Sequence, residues 1–148
     1  MSASNAAETA LLNLIFANSN WANVGDATGL RGSSTAGSLY ISLATADYTE
    51  TGTQSSNEAN YTGYARVAVA RSGSGWTVSG NSASNAAAVT FGACTAGSST
   101  VTHFGVGTDS SGTGNLLFSG ALTSSLAISS GITPSVRSRN PLLTSWIA

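Results

Sequence analysis

From Ser38 onward the apolar residues of this chain recur at every second position, in short segments separated by clusters of Ser, Gly, Thr and Asn. A period of two puts alternate side chains on opposite faces of an extended strand, so the pattern specifies half-buried β-structure. In Ser38–Ala44, Leu39, Ile41 and Leu43 fall on one face and Tyr40, Ser42 and Ala44 on the other. Residues 64–70 alternate Ala65, Val67 and Val69 against Tyr64, Arg66 and Ala68. Further strands are predicted over 75–79, 87–93, 101–107, 115–122 and 126–128, each bounded by turn-forming residues. The composition suits this plan, since 26 Ser, 18 Thr, 23 Ala and 17 Gly hold 84 of the 148 positions. Seven short strands at such spacing predict a mainly β fold, a single antiparallel β-sandwich or barrel-like domain.

One segment breaks the period. Leu11 and Ile15, then Leu12 and Phe16, repeat at i and i+4, which predicts a helix over about 5–17 with an apolar stripe. Asn5 followed by Glu8 has the spacing of a capping box at its start. No Lys or Arg precedes the apolar stretch, so it reads as a folded helix rather than an export signal. No run approaches the 18 or more apolar residues of a membrane span, and no membrane association is expected.

Charge excludes one class of function. The chain has five Arg, no Lys and a formal net charge of −1. Binding nucleic acid requires a clustered cationic surplus to neutralise phosphates, so no nucleic-acid partner is expected. Cys94 is the single cysteine, which precludes an intramolecular disulfide.

Catalytic chemistry has no positive sign. His103 and Cys94 are the only candidate base and thiol, and a nucleophilic pair also needs an orienting third group that the sequence does not supply. Gly73-Ser-Gly75, Gly105-Val-Gly107 and Gly112-Thr-Gly114 do not extend to GxGxxG and are read as turn glycines, and GxSxG is absent. Asp26, Asp47, Glu50, Glu58 and Asp109 fall in predicted loops and are read as solvated charges. The expectation is a non-enzymatic protein with no catalytic residues, no metal and no cofactor.

Two loops stand out. Residues 45–62 form the longest stretch without periodicity, and loops of that length are usually functional. Tyr48 and Tyr61 flank it and are expected to form an exposed partner-contact surface. Residues 107–114 read as a hairpin tip, because Asp109, Gly112 and Gly114 tolerate positive φ.

Taken in order, LYISLATADY from Leu39, EANYTGYARVAV from Glu58, SNAAAVTF from Ser84, VTHFGV from Val101 and GNLLFSGAL from Gly114 resemble a family of small tailed-phage virion proteins commonly labelled tail-fibre proteins. The resemblance spans roughly residues 8–135. It implies a β-rich subunit of a virion assembled in the host cytoplasm, with the major capsid protein or tail proteins as partners and no catalytic residues to carry over. Within that class two positions compete. A shaft that spans distance needs heptads or repeated segments, which this chain lacks, so the reading favours a capsid decoration or cement subunit, a homo-oligomer and by expectation a trimer. The alternative is a tail-fibre or tail-tip subunit that binds a host receptor, and a second alternative is a carbohydrate-binding or adhesin module.

The resemblance stops near Ser135. The family pattern continues with a Phe-Ala-Ala-Gly-Thr-Leu type strand where this chain has Val136-Arg-Ser-Arg-Asn-Pro141, and these six residues can be encoded by codons that, read one base later, give Phe-Ala-Ala-Gly-Thr. Our hypothesis is a shifted reading frame over 136–148; gene codons incompatible with that overlap would end it. The resulting organisation is a domain over 1–135 and an extended, divergent C-terminal tail over 136–148, whose Arg137, Arg139 and Trp146 are expected to contact a neighbouring subunit.

Overall fold

A computed structural model describes residues 3–137 and the backbone of 143–144. It is mainly β with one helix among the described residues: α1 (Asn5–Phe16), β1 (Ser38–Ala44), β2 (Val67–Ala70), β3 (Trp76–Ser79), β4 (Ser82–Asn85), β5 (Val89–Thr90), β6 (Ser98–Gly107), β7 (Leu116–Ser129), β8 (Ser135–Val136) and β9 (Leu143–Thr144). The strands form three sheets, ordered β2-β1-β6-β7, β3-β4-β9 and β5-β8. The mainly β reading with an N-terminal helix and antiparallel sheets therefore holds. By internal contacts the chain divides into two compact units, one containing the chain up to Ser38, Ala70–Ala88 and the segment from Arg137, the other Leu39–Val69 and Val89–Val136.

In the first unit, α1 starts one residue earlier than the spacing of Asn5 and Glu8 suggests. Ser4 is the N-cap, extended at φ −79°, and its hydroxyl accepts from the Ala7 amide, so Glu8 lies one position beyond the reach of a capping box. The helix buries Leu12 and Phe16, and the Phe16 ring lies 4.6 Å from the buried Trp76 ring of β3. No basic residue occupies its last turn. Arg71 takes that role from outside, donating from Nη2 to the Leu14 carbonyl at 2.8 Å and from Nε to that of Ile15 at 2.6 Å. A strand that periodicity missed, β4, follows β3 through the two-residue turn Gly80-Asn81, with Ser79 opposite Ser82 and Gly80 at φ +58°. Gly-Asn between two strands is a hairpin signal, but Ser82-Ala-Ser-Asn85 has no apolar alternation to accompany it.

In the second unit, β1 pairs antiparallel with β6, setting Ile41 against Val106 and Leu43 against Phe104. All four are buried, which is the core that the alternation in β1 predicts. The segments predicted as 115–122 and 126–128 are one strand, β7, joined across a register shift against β6 between Val101 and His103, with a second shift between Val106 and Gly107. The predicted strand 87–93 is shorter than expected, because β5 has only the two-residue β8 to pair with. Arg139 and Trp146 of the expected tail lie outside the described residues, while Arg137 is exposed.

Candidate functional site

The 45–62 loop is a packed structure rather than an open one. It leaves β1 and returns beside it, with the Thr45 amide donating to Asn57 O and the Ala59 amide to Leu43 O, while Thr49 and Asn57 turn the chain at φ +60° and +52°. Two of its side chains reach onto the sheet. Tyr48 is 1% exposed, with its hydroxyl 2.8 Å from Ser42 Oγ and its ring against Gly105 of β6. Burial pushes the Tyr48 phenol up to about 12, since the charged form loses its water. Gln54 is wholly buried above Gly107, donating from Nε2 to Tyr40 O and accepting at Oε1 from the Asp109 amide, each at 3.1 Å.

These contacts correct two expectations. Gly105 and Gly107 are not turn residues but lie in β6, where a Cβ on either would collide with the Tyr48 ring or the Gln54 amide. The exposed aromatic surface is also withdrawn. Tyr61, like Tyr48, is buried, 3% exposed, with its hydroxyl donating to Gly92 O at 3.0 Å and its ring edge-on to Tyr64 at 5.5 Å. Sequence reasoning placed both tyrosines outside because they flank an aperiodic segment; the Gly-Val-Gly of β6 was the sign that something bulky lies over that strand.

Beside Gln54 is an ion pair that periodicity also missed. Arg66 donates from Nε to Glu58 Oε1 at 2.7 Å and from Nη2 to Glu58 Oε2 at 2.8 Å, and its side chain is 2% exposed. Tyr64 completes the carboxylate, donating its hydroxyl to Oε1 at 2.7 Å while accepting from the Leu43 amide. Glu58 is thus a fixed acceptor, not a solvated loop charge. Its hydrogen bond raises the Arg66 pKa still further, and burial raises the pKa of Tyr64. A lone arginine inside the apolar alternation of 64–70 was the available signal, because a buried guanidinium requires a carboxylate.

The remaining donors of Arg66 define what the arrangement does. Nη1 donates to Asp109 O at 3.0 Å and Nη2 to Gly112 O at 2.6 Å. Both carbonyls belong to the tip of the β6–β7 hairpin, which the Thr108 amide closes by donating to Asn115 O, with Gly112 and Gly114 at φ +73° and +59°. Arg66 and Gln54 therefore hold this tip by its main chain at three points, Asp109 N, Asp109 O and Gly112 O. Every residue from Thr108 to Thr113 remains exposed. The result is a braced loop whose conformation is set beneath it and whose side chains face solvent.

The two residues considered for nucleophilic chemistry are otherwise engaged. Cys94 is buried, with its thiol directed at the Ala96 and Gly97 carbonyls, and His103 Nδ1 lies 2.8 Å from Thr102 Oγ1.

Comparison with known families gives the class to which this β-rich chain belongs. The family described as podophage GP4 fiber I protein gp80 matches residues 2–141. The chain belongs to this family. Membership makes it a phage virion component that associates with other virion proteins, as the resemblance at residues 8–135 implied, and favours a fibre over the capsid decoration subunit expected from the missing shaft. A fibre can include compact parts, so the absence of a shaft in one chain does not exclude it. No curated protein matches the chain.

Proposed function

We propose that the chain is a non-catalytic structural subunit of a phage tail fibre, and that the hairpin tip 108–113 is a surface it offers to the host cell. The observation that carries this reading is the anchoring of the tip by Arg66 at Asp109 O and Gly112 O, with the Thr108 hydroxyl closing its base by accepting from the Asn115 amide and the exposed side chains of Ser110 and Ser111 outside the brace. Main-chain anchoring fixes a loop in advance, which lowers the ordering cost of a contact, and leaves its side chains free to determine what is bound. Family membership supports the fibre position, with tail proteins of the same virion as its neighbours.

The test is a phage carrying Ser110→Trp or Ser111→Trp at the exposed tip. Virions should assemble normally and the purified chain should melt as the parent does, while adsorption to host cells falls at least about tenfold. Unchanged adsorption would remove the receptor-contact role. Copy number decides position independently: a few copies per particle agree with a fibre, whereas a ratio near one to one with the major capsid protein would restore the decoration reading.

A further inference from the structure

We propose that the groove between one face of α1 and residues 19–20 is a binding site for an uncharged sugar. It measures about 620 Å³, within the roughly 300–1,000 Å³ of small-ligand sites. Along the helix, Thr9 and Asn13 stand one turn apart, as do Ala6 and Ala10, so a polar row and a methyl row run side by side. Ser19 and Asn20 complete the lining. None of the lining residues is charged, so an ionised ligand would find no counter-charge there. The groove lies wholly in the unit that contains the helix and uses no residue of the hairpin tip, so it is independent of the receptor contact proposed for that tip.

Three of its polar side chains are each fixed at one end and open at the other. Asn13 donates from Nδ2 to Thr9 O at 3.0 Å, which leaves Oδ1 as an acceptor. Asn20 accepts at Oδ1 from the Gly32 amide at 3.0 Å, which leaves both Nδ2 hydrogens as donors. Thr9 donates its hydroxyl to Gly80 O at 2.6 Å, which leaves the oxygen able to accept. These partners determine which way each amide faces. The segment behind Asn20 is fixed as well: the Asn18 side chain clasps Ser33 at its amide and carbonyl, at 2.7 and 2.9 Å, and Trp21 and Leu30 exchange main-chain hydrogen bonds. A groove preset in this way has little left to order when a ligand enters. It offers donors and acceptors together, beside the methyl groups of Ala6 and Ala10. A sugar ring is the complement, with hydroxyls that both donate and accept, apolar C–H faces and no charge. The helical side has its main chain bonded internally, so it gives an extended peptide no ladder to join.

The test is an NMR titration of the isotope-labelled full chain with the methyl glycosides of glucose, galactose and mannose and with N-acetylglucosamine. At least one should bind saturably, with shifts centred on the Asn13 and Asn20 side-chain amides and the main-chain amides of 6–13. Asn13→Leu removes Oδ1 while favouring the helix, and should weaken that binding at least about fivefold. Ala6→Phe fills the floor from an exposed position and should abolish it, with parental melting in both variants. Glucuronic acid, whose charge the groove cannot pair, should bind at least about tenfold more weakly than glucose. No saturable binding across the panel, shifts that map outside the groove, or binding unchanged in either variant would overturn the proposal. Equal affinity for glucuronic acid, or for acetyl-dialanine methylamide as an uncharged peptide, would overturn it too. Should Ala6→Phe fail to fold, the shift map and Asn13→Leu decide.

Discussion

The side-chain amide of Gln54 occupies the space that a Cβ on Gly107 would need, with the Asn115 carbonyl closing the same space at 2.5 Å. The pair ties a loop before β2 to the end of β6, and from there to the hairpin tip. Gly107→Ala should destabilise the protein by about 1–3 kcal/mol, since neither the buried amide nor the backbone can give way. Gln54→Ala should cost a similar ~1–3 kcal/mol by stranding the Asp109 amide and the Tyr40 carbonyl. Denaturant unfolding of both variants checks this. Stability unchanged in Gly107→Ala would mean that Gln54 does not hold this position.

Arg66 and Glu58 should behave as a unit. Removing one partner of a buried ion pair leaves the other uncompensated, so Arg66→Ala is expected to cost about 3–5 kcal/mol. Arg66→Lys should not restore stability, because a single ammonium cannot reach both carboxylate oxygens and the two tip carbonyls. Amide exchange gives the specific readout: the Thr108 amide, which closes the hairpin onto Asn115 O, should lose protection in Arg66→Lys while amides of β1 keep theirs.

How much of this was legible in the sequence depends on which physical signal each part carries. Leu39, Ile41 and Leu43 declare their strand because one face of β1 is buried, and Leu12 and Phe16 declare their helix for the same reason. β4 is silent, since Ser82-Ala-Ser-Asn85 is held by pairing with β3 and its turn rather than by an apolar face. The brace was unreadable as an assembly because its members, Gln54, Glu58, Arg66 and Asp109, come from segments that only tertiary structure brings together. Tyr48 and Tyr61 were misplaced by an inference from loop to surface, which fails for Tyr48 because Gly105 of β6 opens a berth for its ring and for Tyr61 because its hydroxyl reaches the Gly92 carbonyl and its ring packs edge-on to Tyr64.

Alkaline pH should loosen the loop against the sheet. The Tyr48 phenol rises from an ordinary 10.0 to about 12, chiefly through burial, and Tyr61 and Tyr64 rise in the same direction. The folded state then keeps a proton that the unfolded chain releases, so the associated stability is whole below pH 10 and is lost as pH climbs from 10 to about 12. Unfolding midpoints measured across that range should fall, and Tyr48→Phe should fall less steeply than the parent. An equally steep decline in Tyr48→Phe would assign the effect to the other two phenols.

Arg71 gives the last prediction, in the unit that contains the helix. Four of its contacts are local to that unit: the Leu14 and Ile15 carbonyls, the Ala36 carbonyl at 3.1 Å and Ser33 Oγ at 3.3 Å. The first two are helix-terminal acceptors with no intrahelical donor, at the end of the macrodipole that favours a cation. A charge-assisted hydrogen bond contributes about 1.5–3 kcal/mol, and partial exposure of Arg71 puts the loss in Arg71→Ala at the lower end of that range. The guanidinium geometry matters as well as its charge, since Nε and Nη2 address consecutive carbonyls that one ammonium cannot serve together. Arg71→Lys should therefore recover only part of the stability, and helical ellipticity at 222 nm should melt earlier in both variants than in the parent. Full recovery by lysine would reduce the role of Arg71 to its charge at the helix end.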